Sequence, residues 1–141
     1  MSRVPLAFAA TLVVVAVALS GCTTPADSVE TARLVLRDGE KRVAGEPCNG
    51  SGPYRDIHAT ASFVVRDADG DVLAEGALPQ GVATKMIDID FDGIAEPTAC
   101  TFTLDAAIPD GLGTVYLDAG ERTEVVMMPN QDDDVWEAIL P

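Results

Sequence analysis

Alternation of apolar and polar side chains is the dominant pattern along this chain. In segment 57–65 the odd-numbered positions are apolar, and most of the even-numbered positions between them are polar. Successive side chains of a β-strand point to opposite faces, so this pattern predicts a strand with one face on a core and the other in water. Turn residues follow at 67–70, and the apolar run 72–78 is expected to return as the second strand of a hairpin.

Further strands are predicted along the rest of the chain, at 32–37, 86–91, 100–106, 113–118, 123–128 and 135–140. In the third of these segments Cys100, Phe102 and Leu104 share one face, which we expect to point into the core. Short strands separated by frequent turn signals predict an all-β fold of about seven or eight strands. We expect an antiparallel β-sandwich that resembles immunoglobulin or transthyretin domains, with a small barrel as the alternative.

The N-terminus has the layout of a secretory signal peptide. Arg3 precedes an apolar run from Leu6 to Leu19, which is shorter than the roughly 20 residues needed to span a bilayer. The run ends in Leu19-Ser20-Gly21-Cys22, which resembles the lipobox of bacterial lipoprotein signals. That resemblance implies cleavage before Cys22 and lipidation of its thiol. We therefore predict a signal helix at 1–21, a lipidated tether at 22–28 and a β-sandwich domain at 29–141.

Two cysteines remain once Cys22 carries lipid. Cys48 and Cys100 would then face an oxidising compartment, and they have one possible intramolecular pairing. A redox-active pair would normally be spaced C-x-x-C, and zinc would need more cysteine or histidine ligands than the chain contains. We predict a structural disulfide, which would stabilise the fold by roughly 4 kcal/mol through loop closure.

Charge narrows the range of partners. The chain has 23 acidic and 9 basic residues, a net charge of −14. Phosphates need Lys and Arg to neutralise them, so nucleic acid is not an expected partner. The same charge disfavours lying flat on an anionic lipid surface. Solubility among anionic envelope polymers, or cation binding, fits this balance better.

The sharpest candidate for metal chemistry is the segment Asp88, Asp90, Asp92, followed by glycine. D-x-D-x-D-G opens a calcium loop in which alternate oxygens surround the ion. Position twelve of that pattern is Ala99 where a bidentate Glu is expected. The alternative is a strand at 86–91 whose aspartates face water and whose apolar residues face the core.

Candidates for catalysis or ligand binding are few. His58 is the only histidine, and the chain has no G-x-S-x-G elbow, so we expect no enzymatic activity and no cofactor apart from calcium. Tyr54, beside Cys48, is the best candidate for a ligand-facing aromatic residue. Its alternative role is to anchor its own loop onto the sandwich.

A resemblance to known proteins is carried by four segments, at 48–57, 69–76, 78–81 and 100–104. These segments resemble a loose group of small actinobacterial secreted and lipoprotein domains that are generally described as uncharacterised. The resemblance implies a disulfide-linked β-sandwich and no particular activity. We therefore predict a cell-envelope lipoprotein, anchored by membrane lipid on Cys22 at the extracytoplasmic face. It would act as a binding or structural module for an envelope protein or polymer. A calcium-binding module is the alternative, and a small envelope enzyme or enzyme inhibitor is the further one.

Overall fold

The computed structural model of the protein describes residues 29–89 and 91–141, so the predicted signal helix and tether lie outside the described residues. Ten β-strands and a 3₁₀ turn at Gly52–Tyr54 make up the regular structure. The strands are β1 (Val29–Leu36), β2 (Lys41–Arg42), β3 (Pro47–Cys48), β4 (Ser62–Asp67), β5 (Val72–Ala77), β6 (Gly81–Lys85), β7 (Glu96–Pro109), β8 (Val115–Ala119), β9 (Arg122–Asn130) and β10 (Val135–Leu140). The all-β prediction is confirmed. The count exceeds the prediction partly because β2 and β3 have two residues each, too short to show alternation.

The strands form one continuous, curled sheet. Their order is β3-β6-β7-β1-β10-β9-β8-β4-β5, and β2 also pairs with β7. At one edge, β5 returns to within 8 Å of β7, measured between Cα atoms. These pairings describe an open sheet curled around its core, so the two-sheet sandwich of immunoglobulin or transthyretin type is not confirmed.

The prediction of a wholly antiparallel fold is wrong for one strand pair. β1 and β10 run parallel, with Ala32 opposite Trp136 and Leu34 opposite Ala138. Parallel neighbours cannot be joined by a tight turn. Here the intervening strands connect them, so the first and last described strands lie side by side in the middle of the sheet.

The core lies on the inner face of the curled sheet. The expected inward residues of β7 are confirmed, because Cys100, Phe102 and Leu104 are all at most 3% exposed. Trp136 of β10 is likewise buried. Ile57 is buried too, although β4 begins only at Ser62, so the first half of the predicted strand 57–65 is a loop packed on the core.

The strand predicted at 86–91 is wrong. β6 ends at Lys85, opposite Thr98 of β7, and the chain then bends away from the sheet. The alternating residues Ile87 and Ile89 lack a strand partner and are exposed rather than facing the core. The strand that pairs with β7 is the preceding segment, which begins at Gly81.

Candidate functional site

The predicted lipidation site, Cys22, lies outside the described residues. Within 29–89 and 91–141, no helix combines the length and apolar character that crossing a membrane requires.

The predicted disulfide between Cys48 and Cys100 is confirmed. Their Cα atoms are 5.8 Å apart, and the bond joins β3 to β7 with β6 between them in the sheet. It passes close to Gly81 of β6, where an added Cβ would lie 2.8 Å from Cys100 Sγ and from the carbonyl oxygen of Cys48. Position 81 therefore requires glycine, because a side chain would occupy the volume of the disulfide. The bond fixes the segment that carries Tyr54 against the sheet.

Tyr54 makes its contacts within the chain. Its hydroxyl donates a hydrogen bond to the carbonyl oxygen of Pro141, and its ring packs against the core. The guanidinium carbon of Arg122 lies 5.1 Å from the ring centroid, a cation–π geometry. These contacts favour the loop-anchoring role over a ligand-facing one.

A buried ion pair that the sequence pattern does not indicate holds the neighbouring segment. The Asp38 side chain is 0% exposed and accepts hydrogen bonds from Arg42 Nη1 at 2.9 Å and Nη2 at 2.6 Å. The backbone N–H of Ser51 donates to the same carboxylate at 3.1 Å. Burial alone would raise the pKa of Asp38, but these bonds and the Arg42 charge outweigh burial and hold the pKa below its usual range. The pair ties the chain after β1 to the loop that follows Cys48.

Two of the three predicted calcium ligands lie in the loop between β6 and β7. Asp88 and Asp92 are both exposed there, and Asp90 falls outside the described residues. Asp92 has a positive φ of 51°, next to Gly93 at 77°. Among the described residues, no group of three or more His, Cys, Asp or Glu side chains is placed to hold a metal ion. Calcium binding at this segment stays a prediction.

Beneath this loop, β7 begins with a buried carboxylate. The Glu96 side chain is 4% exposed, and its Oε1 lies 3.9 Å from Lys85 Nζ. Lys85 Nζ also lies 3.4 Å from the carbonyl oxygen of Ile89, which places Glu96 next to the loop. Among the residues that the structure describes, none is a hydrogen-bond partner of Glu96 Oε2. An uncompensated buried carboxylate oxygen is costly, so this position is one where a cation or a water would be stabilising.

A groove of about 390 Å³ lies on the outer face of the sheet, where β6, β7, β1 and β10 run side by side. Alternate residues of β1 fill the core, so Arg33, Val35 and then Arg37 point outward into it. The other lining residues are Thr84, Lys85, Met86, Ala99, Thr101 and Glu137. We call this set the β1 groove. Its volume is within the range of roughly 300–1,000 Å³ that is usual for small-ligand sites.

The shape of the β1 groove follows from side-chain size. Its floor is formed by β7, which contributes the small residues Ala99 and Thr101. Longer side chains flank them, from Arg37 on one side and from Lys85 and Met86 on the other. The small residues lie on the central strand and the large ones on its neighbours, so the outer surface is hollow at this point.

The three cationic side chains of the β1 groove differ in how many other groups bind them. Arg33 is bound to Glu137 through Nε and to Asp133 through Nη2 at 3.0 Å. Burial by itself would lower the pKa of Arg33, but the bonds to Glu137 and Asp133 outweigh it and raise the pKa above its usual value. Lys85 is engaged with Glu96 and the Ile89 carbonyl. Arg37 is exposed, and its guanidinium donates no hydrogen bond to any residue that the structure describes.

A second groove, of about 400 Å³, lies at the other end of the sheet order, around Arg66, Tyr116 and Asp118. Its cation is paired within the groove, because Arg66 Nε lies 3.4 Å from Asp118 Oδ2. That pairing leaves the second groove with less unsatisfied charge than the β1 groove.

Comparison of the chain with models of known protein families, with curated proteins and with solved structures finds no match. The described residues define a disulfide-linked all-β domain with an open groove on its outer sheet face.

Proposed function

We propose that this protein is a cell-envelope lipoprotein, anchored through lipid on Cys22, whose β domain acts as a binding module without catalysis. The signal-like N-terminus and the lipobox-like ending support the anchor. The domain supports the binding role, because its disulfide and buried ion pair hold a preformed outer face in place. We propose that the finer architecture of the domain is sandwich-like.

The β1 groove is the observation that carries the binding role. It is large enough for a small ligand and combines apolar floor residues, paired hydroxyls and charged side chains. Sites of this composition bury a ligand on the apolar surface and orient it with a few polar groups. His58, the single histidine, does not line this groove. It is exposed, and its Nδ1 lies 2.8 Å from the carbonyl oxygen of Ala59.

The anchor is tested by fractionation of cells that express the full chain. Cys22→Ser should move the protein from the membrane fraction to the medium, because the thiol that carries the lipid is gone. Thr23→Ala, one position along, is the matched control and should stay in the membrane. Retention of Cys22→Ser in the membrane would contradict the proposed anchor.

The binding site is tested by filling the groove. Thr101→Trp puts a large ring on the floor of the β1 groove and should abolish binding of the protein to purified envelope polymers. Ser62→Trp, at an exposed position of β4 remote in the sheet order, is the control and should bind as the wild type does. Equal binding by Thr101→Trp and wild type would remove the β1 groove from the proposal.

A calcium-binding module is the second candidate, and Glu96 is the observation that favours it. Its buried Oε2, to which no described residue donates a hydrogen bond, lies close to the loop that carries Asp88 and Asp92. A ligand that prefers the folded state raises the midpoint of thermal unfolding. Millimolar calcium should then raise the midpoint of the wild type but not of Glu96→Gln, with Glu75→Gln on β5 as the control. An unchanged wild-type midpoint between calcium and chelator would retire this candidate.

A further inference from the structure

We infer that the β1 groove takes a small ligand bearing a carboxylate or phosphate group, with Arg37 as the residue that binds the anion. This inference rests on the proposed binding function and names the class of ligand. Binding of neutral molecules alone would contradict this inference and leave the proposed binding function standing.

Positive charge is concentrated in the β1 groove. The whole chain has 9 basic residues and a net charge of −14, yet Arg33, Arg37 and Lys85 all line this one groove. Glu137 is the one acidic residue in the lining. Concentration of cations at one place in an acidic protein creates a local site for an anion, because the nearest charges dominate the potential at short range.

Only one of these cations lacks a partner among the residues that the structure describes. Arg33 is held by Glu137 and Asp133, and Lys85 lies near Glu96, so their charges are largely compensated. The guanidinium of Arg37 donates to none of the described residues. Its planar fork of N–H donors matches the oxygen pairs of carboxylate and phosphate groups.

The strand register brings Arg37 within reach of the hydroxyls of the groove. Thr84 lies opposite Ala99 on β7, and Arg37 directly follows Leu36, which lies opposite Cys100. Two strand spacings, roughly 10 Å, therefore separate the backbones that bear Thr84 and Arg37. An arginine side chain can extend across Ala99 toward the hydroxyls. Thr84 Oγ1 and Thr101 Oγ1 lie 2.8 Å apart, so one hydroxyl donates to the other. The hydroxyl that accepts keeps its own O–H, which can donate to an anion.

Size and net charge restrict the ligand further. The groove volume of about 390 Å³ suits a molecule of sugar-acid or sugar-phosphate size. A polymer would enter the groove with one unit of this size, and a densely charged polyanion is disfavoured, because its segments past the groove would meet Asp133 and the negative charge of the whole domain. Val35, Ala99 and Met86 supply an apolar surface for the neutral body of the ligand.

The test is calorimetric titration of the full chain, extracted from membranes in detergent, with three probes. Glucuronate carries the carboxylate, glucose 1-phosphate carries the phosphate, and methyl glucoside is a neutral molecule of similar size. We expect at least one of the two anions to bind and methyl glucoside to bind at least about tenfold more weakly, the effect of one charged hydrogen-bond pair. Preference for glucuronate would identify a carboxylate ligand, and preference for glucose 1-phosphate a phosphate ligand.

Two substitutions with the same change of charge locate the effect. Arg37→Gln should weaken binding of the preferred anion at least about tenfold, because it removes the bidentate donor. Arg55→Gln removes one positive charge at an exposed loop position outside the groove lining and should bind as the wild type does. Equal affinity of Arg37→Gln and wild type, or failure of both anions to bind, would overturn the inference. If Thr101→Trp still abolishes polymer binding in that case, the binding function stands and only the anionic ligand is wrong.

Discussion

Substitution of Asp38 offers the sharpest test of how this domain is held together. Asp38→Asn keeps the size of the side chain but replaces an acceptor oxygen with an N–H₂ group, which faces the donors of Arg42 and Ser51. The charge of Arg42, whose side chain is 14% exposed, loses its partner at the same time. Removal of one member of a buried pair leaves an uncompensated charge, which costs about 3–5 kcal/mol. Arg42 also donates to the carbonyl oxygen of Asn49 at 3.2 Å, so we expect the lower end, about 3 kcal/mol.

The assay is urea unfolding of Asp38→Asn and of wild type, followed by circular dichroism. Asp133→Asn is the matched control, because Asp133 also pairs with an arginine but its side chain is 54% exposed. Exposed pairs contribute little, so the control should lose less than about 1 kcal/mol. In the double variant Asp38→Asn with Arg42→Met, the loss should be smaller than the sum of the single losses, because no buried charge is left alone.

The pH dependence gives an independent check of the same pair. The pKa of Asp38 is lowered in the folded state, so its contribution to stability is fully present above the unfolded pKa of about 3.9. It is lost as the pH falls through the lower, folded-state pKa. The stability difference between wild type and Asp38→Asn should therefore be constant from about pH 7 to about pH 5 and shrink below about pH 4. A loss below about 1 kcal/mol at neutral pH, or a difference that grows on acidification, would refute the reasoning.

The remaining predictions concern the disulfide, its glycine neighbour and the tyrosine anchor. Cys48→Ala with Cys100→Ala should lower the free energy of unfolding by about 4 kcal/mol, since the bond closes a loop with a sequence separation of 52; an equal urea midpoint for both forms would contradict this. Gly81→Ala should lower the free energy of unfolding by about 1–3 kcal/mol, because the added Cβ would lie 2.8 Å from its neighbours. Gly113→Ala has open space around it, so its urea midpoint should match that of the wild type. Tyr54→Phe keeps the ring and loses the hydrogen bond to the carbonyl oxygen of Pro141, so we expect its free energy of unfolding to fall by about 1 kcal/mol. Tyr54→Ala also removes the ring and should lower this free energy further. Equal decreases for the two variants in chemical unfolding would show that the ring contributes nothing to anchoring the loop.

The strands of this domain were largely predictable because alternation is a local property. The segments that became β1, β5, β8, β9 and β10 were found within a few residues of their ends. Alternation at 86–91 was misleading, because the same pattern occurs in an exposed loop that lacks a strand partner. Periodicity cannot show whether a partner exists.

The pairing of strands was not predictable in the same way. The parallel contact of β1 with β10 joins segments about a hundred residues apart, and nothing in either segment specifies the other. The ion pair of Asp38 and Arg42 was missed for a related reason. A spacing of four residues carries meaning on a helix, whereas here the short connection between β1 and β2 brings the two side chains together.

The sequence by itself determined the all-β class, the inward face of β7 and the pairing of Cys48 with Cys100, because these depend on local periodicity and on a count of cysteines. The curled single sheet, the buried carboxylate of Asp38 and the β1 groove were decided by the tertiary structure alone. Each of them depends on which strands become neighbours. A groove whose floor comes from β7 and whose walls come from β1 and β6 exists only after distant segments have packed side by side.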